Sequence, residues 1–414
     1  MDQTLAIKGG KPLRNKPFAP WPPYDQDEKN ELLETLQSRN WGGFPSPNTK
    51  AQEFAKAFAE YHGAKFGICA ANGTVTLELI LKAAGIKAGD EVIVPCLTWL
   101  ATAAAPVYIN AVPVFVDVTK DNLTIDCDLV EKAITPKTKA IIAVHLGSCL
   151  ANLDRLKEIC KKHQLLLIED CAHVHGAKWN NKGVGSHGDF GSFSFQSSKL
   201  MTAGEGGIIL TNDKIFEEKL QSLVNCGRKE PGYNSFSENL FGYNYRISEF
   251  QAGVLLAQLK KLSHLTALRE KNGKLLSKLL AEIEGITLLK QYSQVTQPTH
   301  YQFVFKYDKN AFKGVERNKF LMALKAEGVD AAGAFYQPLH EWEMFRPCPK
   351  EWPSLKKRYP QGISANSAHT PVAHQAAYDE TVWLHYHYLI GSEEDVHDIA
   401  NAIKKIQNNI DQLL

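Results

Sequence analysis

Short runs of β-branched and apolar residues alternate with helix-type patterns from residue 46 to about residue 213, and this alternation limits the possible folds most strongly. The segments FGICA (66–70) and EVIVP (91–95) are typical of buried strands, whereas residues 75–90 carry apolar side chains at helical spacing. Strands separated by helices form βαβ units around a mostly parallel sheet. The sequence therefore predicts an open α/β domain whose ligands bind beyond the carboxyl ends of the strands.

The pattern changes near Asn244, which predicts a second domain. Residues 247–283 keep helical apolar spacing for more than thirty positions, as expected of a long helix that bridges two domains. Strand-like runs follow, among them VWLHYHYLI, and a closing helix with Ser392 as its N-cap. We predict an N-terminal arm (1–45), a large α/β domain with a mostly parallel seven-stranded sheet flanked by helices (46–245), and a linking long helix with a small C-terminal α+β domain (246–414).

The charge balance argues against a polyanionic partner. The 414 residues include 47 basic and 45 acidic side chains, which are interspersed and give a net charge of +2. This distribution offers no basic patch for nucleic acid or an anionic membrane and favours a small polar or anionic substrate. Eight cysteines without a CxxC pair suit reduced thiols, and the N-terminus lacks an apolar segment. We expect a soluble, cytoplasmic protein.

Residues that suit one cofactor follow three of the predicted strands. In CAANGT, Gly73 and Thr74 open a helix, and a helix N-terminus is a ready phosphate site. Asp170 ends the apolar run LLLIED, where a carboxylate requires a cationic partner. Lys199 in FSFQSSKLMTAGEGG precedes a glycine-rich turn, where a desolvated amine can form an imine with an aldehyde. Together they favour pyridoxal phosphate (PLP), whose protonated pyridine nitrogen a carboxylate stabilises.

Each of these residues has a plainer interpretation when it is taken alone. Lys199 alone is a solvated surface charge, and Asp170 is a helix cap or part of a structural ion pair. The neighbouring His173 is a satisfied interior histidine, and the NGT motif is an ordinary N-cap. Their order along the chain, with the lysine about thirty residues after the carboxylate, is what favours PLP over other phosphate-bearing ligands.

The whole chain resembles the DegT/DnrJ/EryC1/StrS aminotransferases, which are PLP enzymes of fold type I acting on keto-sugars and keto-cyclitols. The resemblance rests on NGTVTLEL (72–79), GDEVIVPCLTWLATA (89–103), residues 168–213 and GYNYRISEFQAGVLLAQL (242–259). It implies Lys199 as the Schiff-base lysine and proton carrier, and Asp170 at the pyridinium nitrogen. The further implied cofactor contacts are His173 near the ring hydroxyl, Trp99 on the ring face, Gly73, Thr74 and Ser194 at the phosphate, and Asn244 at the phosphate of the neighbouring subunit. A homodimer with shared active sites is also implied.

One departure from the family pattern indicates which branch of the family the chain resembles. Many sugar aminotransferases of the family read SFHPTK before the lysine, whereas this chain reads SFQSSK, with Gln196 in place of the histidine. The motifs WPPYD, FSFQSSKLMTAGEGG and VWLHYHYL instead resemble the branch of glutamine-dependent scyllo-inosose and 2-deoxy-scyllo-inosose aminotransferases and 3-amino-5-hydroxybenzoate synthases. Lys199 argues against the dehydratase relatives, in which a histidine replaces the lysine.

The resemblance predicts an aminotransferase that moves an amino group from L-glutamine or L-glutamate to the ketone of a cyclitol or sugar. Arg228 or Arg246 could bind the donor carboxylate, and His340 lies on a loop where the family often places substrate-side residues. Other readings are a 3-amino-5-hydroxybenzoate synthase-like PLP dehydratase, an aminotransferase of nucleotide keto-sugars, and a non-catalytic PLP-binding regulator. The proline-rich arm is too short for the helix-turn-helix of such a regulator. His385 and His387 alternate along VWLHYHYLI, but a metal site needs a third ligand, so we predict none.

Overall fold

The computed structural model describes residues 4–44, 48–345 and 369–414. The strands are Phe66–Ala70 (β1), Glu91–Pro95 (β2), Val112–Val116 (β3), Thr138–Val144 (β4), Leu166–Asp170 (β5), Lys178–Trp179 (β6), Lys182–Gly183 (β7), Phe190–Ser194 (β8), Gly207–Thr211 (β9), Ile286–Leu288 (β10), Val295–Gln297 (β11), Phe303–Tyr307 (β12), Ala331–Ala332 (β13) and Thr381–Leu384 (β14). The helices are Gln26–Ser38 (α1), Thr49–His62 (α2), Gly73–Ala83 (α3), Ala101–Tyr108 (α4), Cys127–Ala133 (α5), Leu153–His163 (α6), Lys214–Val224 (α7), Glu249–Leu280 (α8), Arg317–Ala326 (α9), Pro371–Gln375 (α10) and Glu393–Asn408 (α11). The chain is thus a mixed α/β protein, as the sequence predicts.

A seven-stranded sheet forms the centre of the larger part, in the order β1-β9-β8-β5-β4-β2-β3. Six of the seven strands run parallel to one another. The seventh, β9, is antiparallel to its neighbours β1 and β8. Strands β2, β8 and β9 are buried along their whole length, because helices cover the sheet and no polar face remains. The carboxyl ends of β1, β2, β5 and β8 therefore lie on one edge of a rigid layer.

A smaller antiparallel sheet of order β10-β12-β14-β13 forms the C-terminal part. Its core includes Leu280 from the end of α8, Phe305 from β12 and Ile403 from α11. Leu5 of the N-terminal arm is fully buried in the same core, and the amides of Ala6 and Leu13 donate to the Glu327 carboxylate. The proposed domain boundaries at residues 45 and 245 stay predictions.

Helix α8 is the long helix that the sequence predicts. It spans 32 residues and begins with a capping box, in which the Ser248 hydroxyl accepts the Gln251 amide while the Gln251 side chain accepts the Ser248 amide. Ser392 caps α11 in the same way through Asp395, as predicted. None of the helices in the described residues combines the length and apolar character needed to cross a membrane.

The interpretation of VWLHYHYLI as one strand is wrong beyond Leu384. Strand β14 ends there, where Leu384 pairs with Phe303 and Ala331, and the chain then turns as the Tyr388 amide donates to the His385 carbonyl. Tyr388 leaves the sheet because its hydroxyl donates to the Asp330 carbonyl and its ring stacks on Phe18. His385 consequently does not share a strand face with His387.

Candidate active site

A cavity of about 980 Å³ lies where the carboxyl ends of the parallel strands meet. Such a crevice is where open α/β sheets bind their ligands. The predicted site residues that line it are Gly73, Thr74, Trp99, Asp170, His173, Ser194 and Lys199. These residues are distant in sequence, and the sheet brings them together because each follows or ends a strand at the same edge.

Lys199 lies in the loop between β8 and β9. Its backbone amide donates to the Gln196 carbonyl, and its ammonium lies 4.6 Å from the centre of the Tyr301 ring, over the ring face. The surrounding protein desolvates the ammonium and lowers the pKa of Lys199 to about 8, against the opposing charge of Asp170. About one-tenth of the amine is therefore neutral at pH 7, far more than for an ordinary lysine.

Asp170 is the last residue of β5 and is buried. The Thr102 hydroxyl donates to its Oδ2 at 2.9 Å, and the Ala172 amide donates to its Oδ1 at 3.3 Å. Burial nevertheless raises the pKa of Asp170, because those hydrogen bonds and the Lys199 charge do not fully offset the lost hydration. The buried carboxylate of Asp170 thus lacks a close cation that would compensate its charge.

His173 lies between aromatic rings and not in a polar pocket. Its ring stacks on Tyr301 with centroids 4.1 Å apart, and its Nε2 lies 3.0 Å from the Tyr336 hydroxyl. Because the Gly147 amide donates to Nδ1, the proton of the neutral ring belongs on Nε2, which donates to Tyr336. Desolvation holds the pKa of His173 well below its usual range, so the ring is neutral at physiological pH.

A narrow cradle forms at the start of α3. The Asn72 side chain caps this helix by accepting the Thr74 and Val75 amides, and the first turn points into the cavity. A Cβ on Gly73 would lie 2.5 Å from the Ser194 Cβ, so only glycine allows this close approach. Gly207 is similarly required, since its Cβ would lie 2.6 Å from the Asn72 carbonyl carbon. The cradle has the amides and hydroxyls that phosphate binding uses.

Four predicted residues do not line this cavity within the described chain. Arg246 lines a separate cavity of about 330 Å³ and donates to the Asn225 Oδ1 at 2.8 Å. Arg228 donates to the same oxygen and lies over the Phe44 ring. Asn244 forms an isolated bridge with Asn225. His340 is buried, and its Nε2 lies 3.2 Å from the Thr370 hydroxyl.

Sequence reasoning missed several residues of the cavity. These are His145, Tyr301 and Tyr336, together with Ser198 and Glu205. Sequence reasoning also missed Thr102, whose hydroxyl donates to Asp170. Thr102 follows Thr98 by one helical turn in LTWLAT, a spacing that places both hydroxyls on one face, and their oxygens lie 3.2 Å apart. Tyr301 and Tyr336 come from the C-terminal part of the chain, and no local pattern links them to the large sheet.

His145 lines the cavity and supports the carboxyl end of β5. The Ala151 amide donates to its Nδ1, so the Nε2 proton points to Glu169 at 3.3 Å. Burial opposes ionisation of Glu169, but hydrogen bonds from His145 and the Gly185 amide lower the pKa of Glu169 to about 2. The pairing of His145 with Glu169 holds in place the residue directly before Asp170.

We expect the ring of Tyr301 to stabilise the Lys199 ammonium, so its removal should shift the pKa of Lys199. Tyr301→Leu removes the ring face, and we expect the pKa of Lys199 to fall by about one unit below that of the wild type. Tyr301→Phe keeps the ring and loses the contact of the hydroxyl with Ser198, so the pKa should stay within a few tenths of a unit of the wild type. The measurement is competitive acetylation of the cofactor-free protein across pH, with the exposed Lys56 as internal reference. Equal pKa values in the leucine and phenylalanine variants would contradict this role of the ring.

The sheet order, the acidic end of β5 and the lysine loop after β8 together define a PLP-dependent aminotransferase of fold type I. The chain belongs to the DegT/DnrJ/EryC1/StrS aminotransferase family, which it matches over residues 23–404. The predictions of family, fold class and enzyme class are thereby confirmed.

Similar proteins extend over nearly the full chain. A protein of Micromonospora echinospora, provisionally named L-glutamine:3-amino-2,3-dideoxy-scyllo-inosose aminotransferase, is 44% identical over 414 residues, or 100% of this chain and 99% of the relative. The L-glutamine:2-deoxy-scyllo-inosose aminotransferase of Streptoalloteichus tenebrarius is 37% identical over 417 residues, or 98% of each chain. The crystal structure of 3-amino-5-hydroxybenzoic acid synthase superposes with a TM-score of 0.82 at 31% identity, covering 97% of this chain and 100% of that one.

Family membership implies PLP as the cofactor, and the residues of the cavity fit it. The buried Asp170 has a raised pKa that a pyridinium proton would relieve, and the Gly73 cradle suits a phosphate. Trp99 lines the cavity and is 53% exposed, so its indole is accessible to a bound ring. Lys199 supplies an amine of lowered pKa in the same cavity.

Proposed function

We propose that this enzyme transfers the amino group of L-glutamine to the ketone of a cyclitol of the scyllo-inosose type. The observation that carries the proposal is the placement of Lys199, with a pKa of about 8, in one cavity with Asp170. The names of relatives that match the chain from end to end support glutamine as donor and a keto-cyclitol as acceptor. L-Glutamate is the alternative donor.

PLP supplies an electron sink that stabilises negative charge at the carbon from which a proton is removed. With the cofactor bound, the neutral amine of Lys199 would remove the proton from the donor α-carbon in the first half of the cycle, and its ammonium would deliver a proton to the acceptor carbon in the second half. Its lowered pKa suits both directions, because the amine and the ammonium are both populated near neutral pH. The Tyr301 ring stabilises the Lys199 side chain within the cavity while Lys199 is protonated.

The remaining residues of the cavity bind and orient the cofactor. Asp170 keeps the pyridine nitrogen protonated, and Thr102 fixes the carboxylate through its 2.9 Å hydrogen bond. Gly73, Thr74 and Ser194 would hold the phosphate, and Trp99 would cover one face of the ring. His173 would lie near the ring hydroxyl, and its orientation is set by the Gly147 amide and the Tyr336 hydroxyl.

The active enzyme in this proposal is a homodimer with shared sites. Asn244 lies outside the Lys199 cavity of its own chain, as expected of a residue that reaches the phosphate in the neighbouring subunit. Arg228 and Arg246 lie near it, and both donate to the Asn225 side chain. Either arginine would then be a candidate for the donor carboxylate in the partner's site, and His340 is a further candidate on the substrate side.

An acceptor panel tests the proposed reaction. With L-glutamine as donor, we expect amination of scyllo-inosose, 2-deoxy-scyllo-inosose or its 3-amino derivative at least about 100-fold faster than amination of a nucleotide 4-keto-sugar. The reason is that contacts fitted to a keto-cyclitol, the acceptor that the names of the relatives give, would be lost on a nucleotide-linked sugar. Products are identified by mass spectrometry, and L-glutamate replaces L-glutamine in a parallel series. Preference for the nucleotide sugar would contradict the proposal.

A second candidate function is synthesis of an aminohydroxybenzoate, which the structural similarity to 3-amino-5-hydroxybenzoic acid synthase favours. That reaction dehydrates and aromatises a six-membered ring, whereas transamination leaves a saturated cyclitol. An aromatic ultraviolet absorbance in the product would support the second function, and its absence alongside an aminocyclitol mass would support the first.

A further inference from the structure

Arg269 is a buried cation that the proposed reaction does not use. It lies in the middle of α8, is 0% exposed, and its Nε, Nη1 and Nη2 atoms all lack a hydrogen-bond partner among the residues that the structure describes. A guanidinium carries five N–H donors, and leaving them unpaired away from water is strongly destabilising. Folded proteins pair such charges almost without exception, so the environment of Arg269 needs an explanation.

The surrounding charges do not neutralise it. Desolvation alone lowers the pKa of Arg269, to about 9, and no carboxylate acts against that effect, so the side chain stays cationic at neutral pH. The adjacent Glu270 is bound elsewhere, since its carboxylate accepts Lys274 and Gln297. His175 and His300, whose pKa values the Arg269 charge helps to lower, are neutral at this pH.

Several other buried polar atoms near Arg269 also lack partners in the described chain. Thr266 lies one turn before Arg269 on the same face of α8, and its Oγ1 is unpaired. Gly273 lies one turn after it, and a Cβ there would come within 2.4 Å of the His300 Nε2, so His300 packs directly on this face. The Nδ1 of His300 and the Oγ1 of the adjacent Thr299 are unpaired as well. Unpaired polar atoms of α8 and of residues 299–300 thus lie on or against the helix face that carries Arg269.

We propose that Arg269, with the hydroxyls of Thr266 and Thr299, forms an internal binding site for a small monovalent inorganic anion of the halide class. An anion is favoured over water alone because water satisfies N–H groups but leaves the buried charge unneutralised. Full burial of the guanidinium excludes an organic carboxylate, whose carbon skeleton needs a path to the surface. A single positive charge and several neutral donors match one monovalent ion.

The proposed anion site at Arg269 lies beside segments that form the Lys199 cavity. The Trp21 ring lies 5.1 Å from the Arg269 guanidinium, and its Nε1 donates to the Ser197 carbonyl, two residues before Lys199. Thr299 is two residues before Tyr301, whose ring faces the Lys199 ammonium. The bound anion therefore stabilises the junction of the N-terminal arm, α8 and the lysine loop.

Thermal unfolding of the full chain tests the site. We expect sodium bromide or chloride to raise the Tm by about 2 °C over sodium gluconate of equal ionic strength, because gluconate is too large to enter. In Arg269→Met the halide-specific increment should vanish. Arg155→Met, which removes an arginine on the surface paired with Glu131, is the matched control and should keep the increment. An equal increment in the Arg269→Met protein would overturn the proposal.

Anomalous diffraction from crystals of the wild-type protein in bromide gives an independent measurement. It does not depend on whether the Arg269→Met protein folds, and it is unaffected by the outcome of the activity assays. A bromide peak in contact with the Arg269 guanidinium and the Thr266 hydroxyl is the expected result. Density at this position that contains water only, without anomalous signal, would show that the guanidinium is solvated and would overturn the proposal.

Discussion

Replacement of Lys199 by alanine is expected to lower kcat for transamination by at least about 10³-fold, the largest effect of any single substitution in the chain. The reason is that Lys199 provides the one amine of lowered pKa in the described cavity, and it both attaches the cofactor and moves the proton. The measurement is single-turnover product formation from L-glutamine and the best acceptor of the panel, which separates the chemical step from product release.

Two further variants show whether the amine itself is responsible. Lys199→Arg keeps a positive charge but, because a guanidinium is not deprotonated in this pH range, it should be as inactive as the alanine variant. Added small primary amines should restore part of the activity of Lys199→Ala and none of that of Lys199→Arg. Lys56→Ala, on the exposed surface, is the matched control. Activity in Lys199→Ala within about tenfold of the wild type would refute the assignment.

Much of the larger part of the fold, around the seven-stranded sheet, could be predicted from the sequence because its signals are local. Each strand of the parallel sheet is a short apolar run, and several helices have periodic apolar residues and a capping residue such as Asn72 or Asp213. The C-terminal sheet was harder to predict, because edge strands such as Ala331–Ala332 are two residues long and carry no alternation. VWLHYHYLI was misinterpreted for a related reason. Its aromatic residues have high strand propensity, but contacts of Tyr388 with Phe18 and Asp330 determine where the strand ends.

The cavity shows the same division between local and distant signals. Asp170, Lys199 and the NGT motif were found because each follows or ends a strand that the sequence predicts. Tyr301 and Tyr336 were missed because they reach the cavity from the C-terminal part of the chain, more than a hundred residues after Asp170. Arg228, Arg246 and Asn244 lie outside it, so a single chain places no arginine of the predicted set beside Lys199. The roles proposed for them therefore require the proposed homodimer.

Asp170→Asn is expected to lower kcat about 10² to 10³-fold while leaving the fold intact. An amide has nearly the shape of the carboxylate and can still accept the Thr102 hydroxyl at the same oxygen. It carries no negative charge, however, and cannot keep a pyridine nitrogen protonated, so the electron sink is weakened at the step where the proton leaves the donor carbon. Since the loss is in the transition state, kcat and kcat/KM should fall together, and stopped-flow half-reactions with L-glutamine measure both.

Thr102→Val separates charge from position at the same site. The variant keeps the Asp170 carboxylate and removes one hydrogen bond to it, and a hydrogen bond to a charged group contributes about 1.5–3 kcal/mol. We therefore expect a loss of about 10- to 100-fold, smaller than that of Asp170→Asn. Because the Thr102 hydrogen bond holds the pKa of Asp170 down against burial, the acidic limb of the pH–rate profile should also move to higher pH in Thr102→Val. Asp170→Asn, which has no carboxyl group to titrate, should lose that limb. An acidic limb unchanged in both variants would show that another group titrates there and that Asp170 acts only by position.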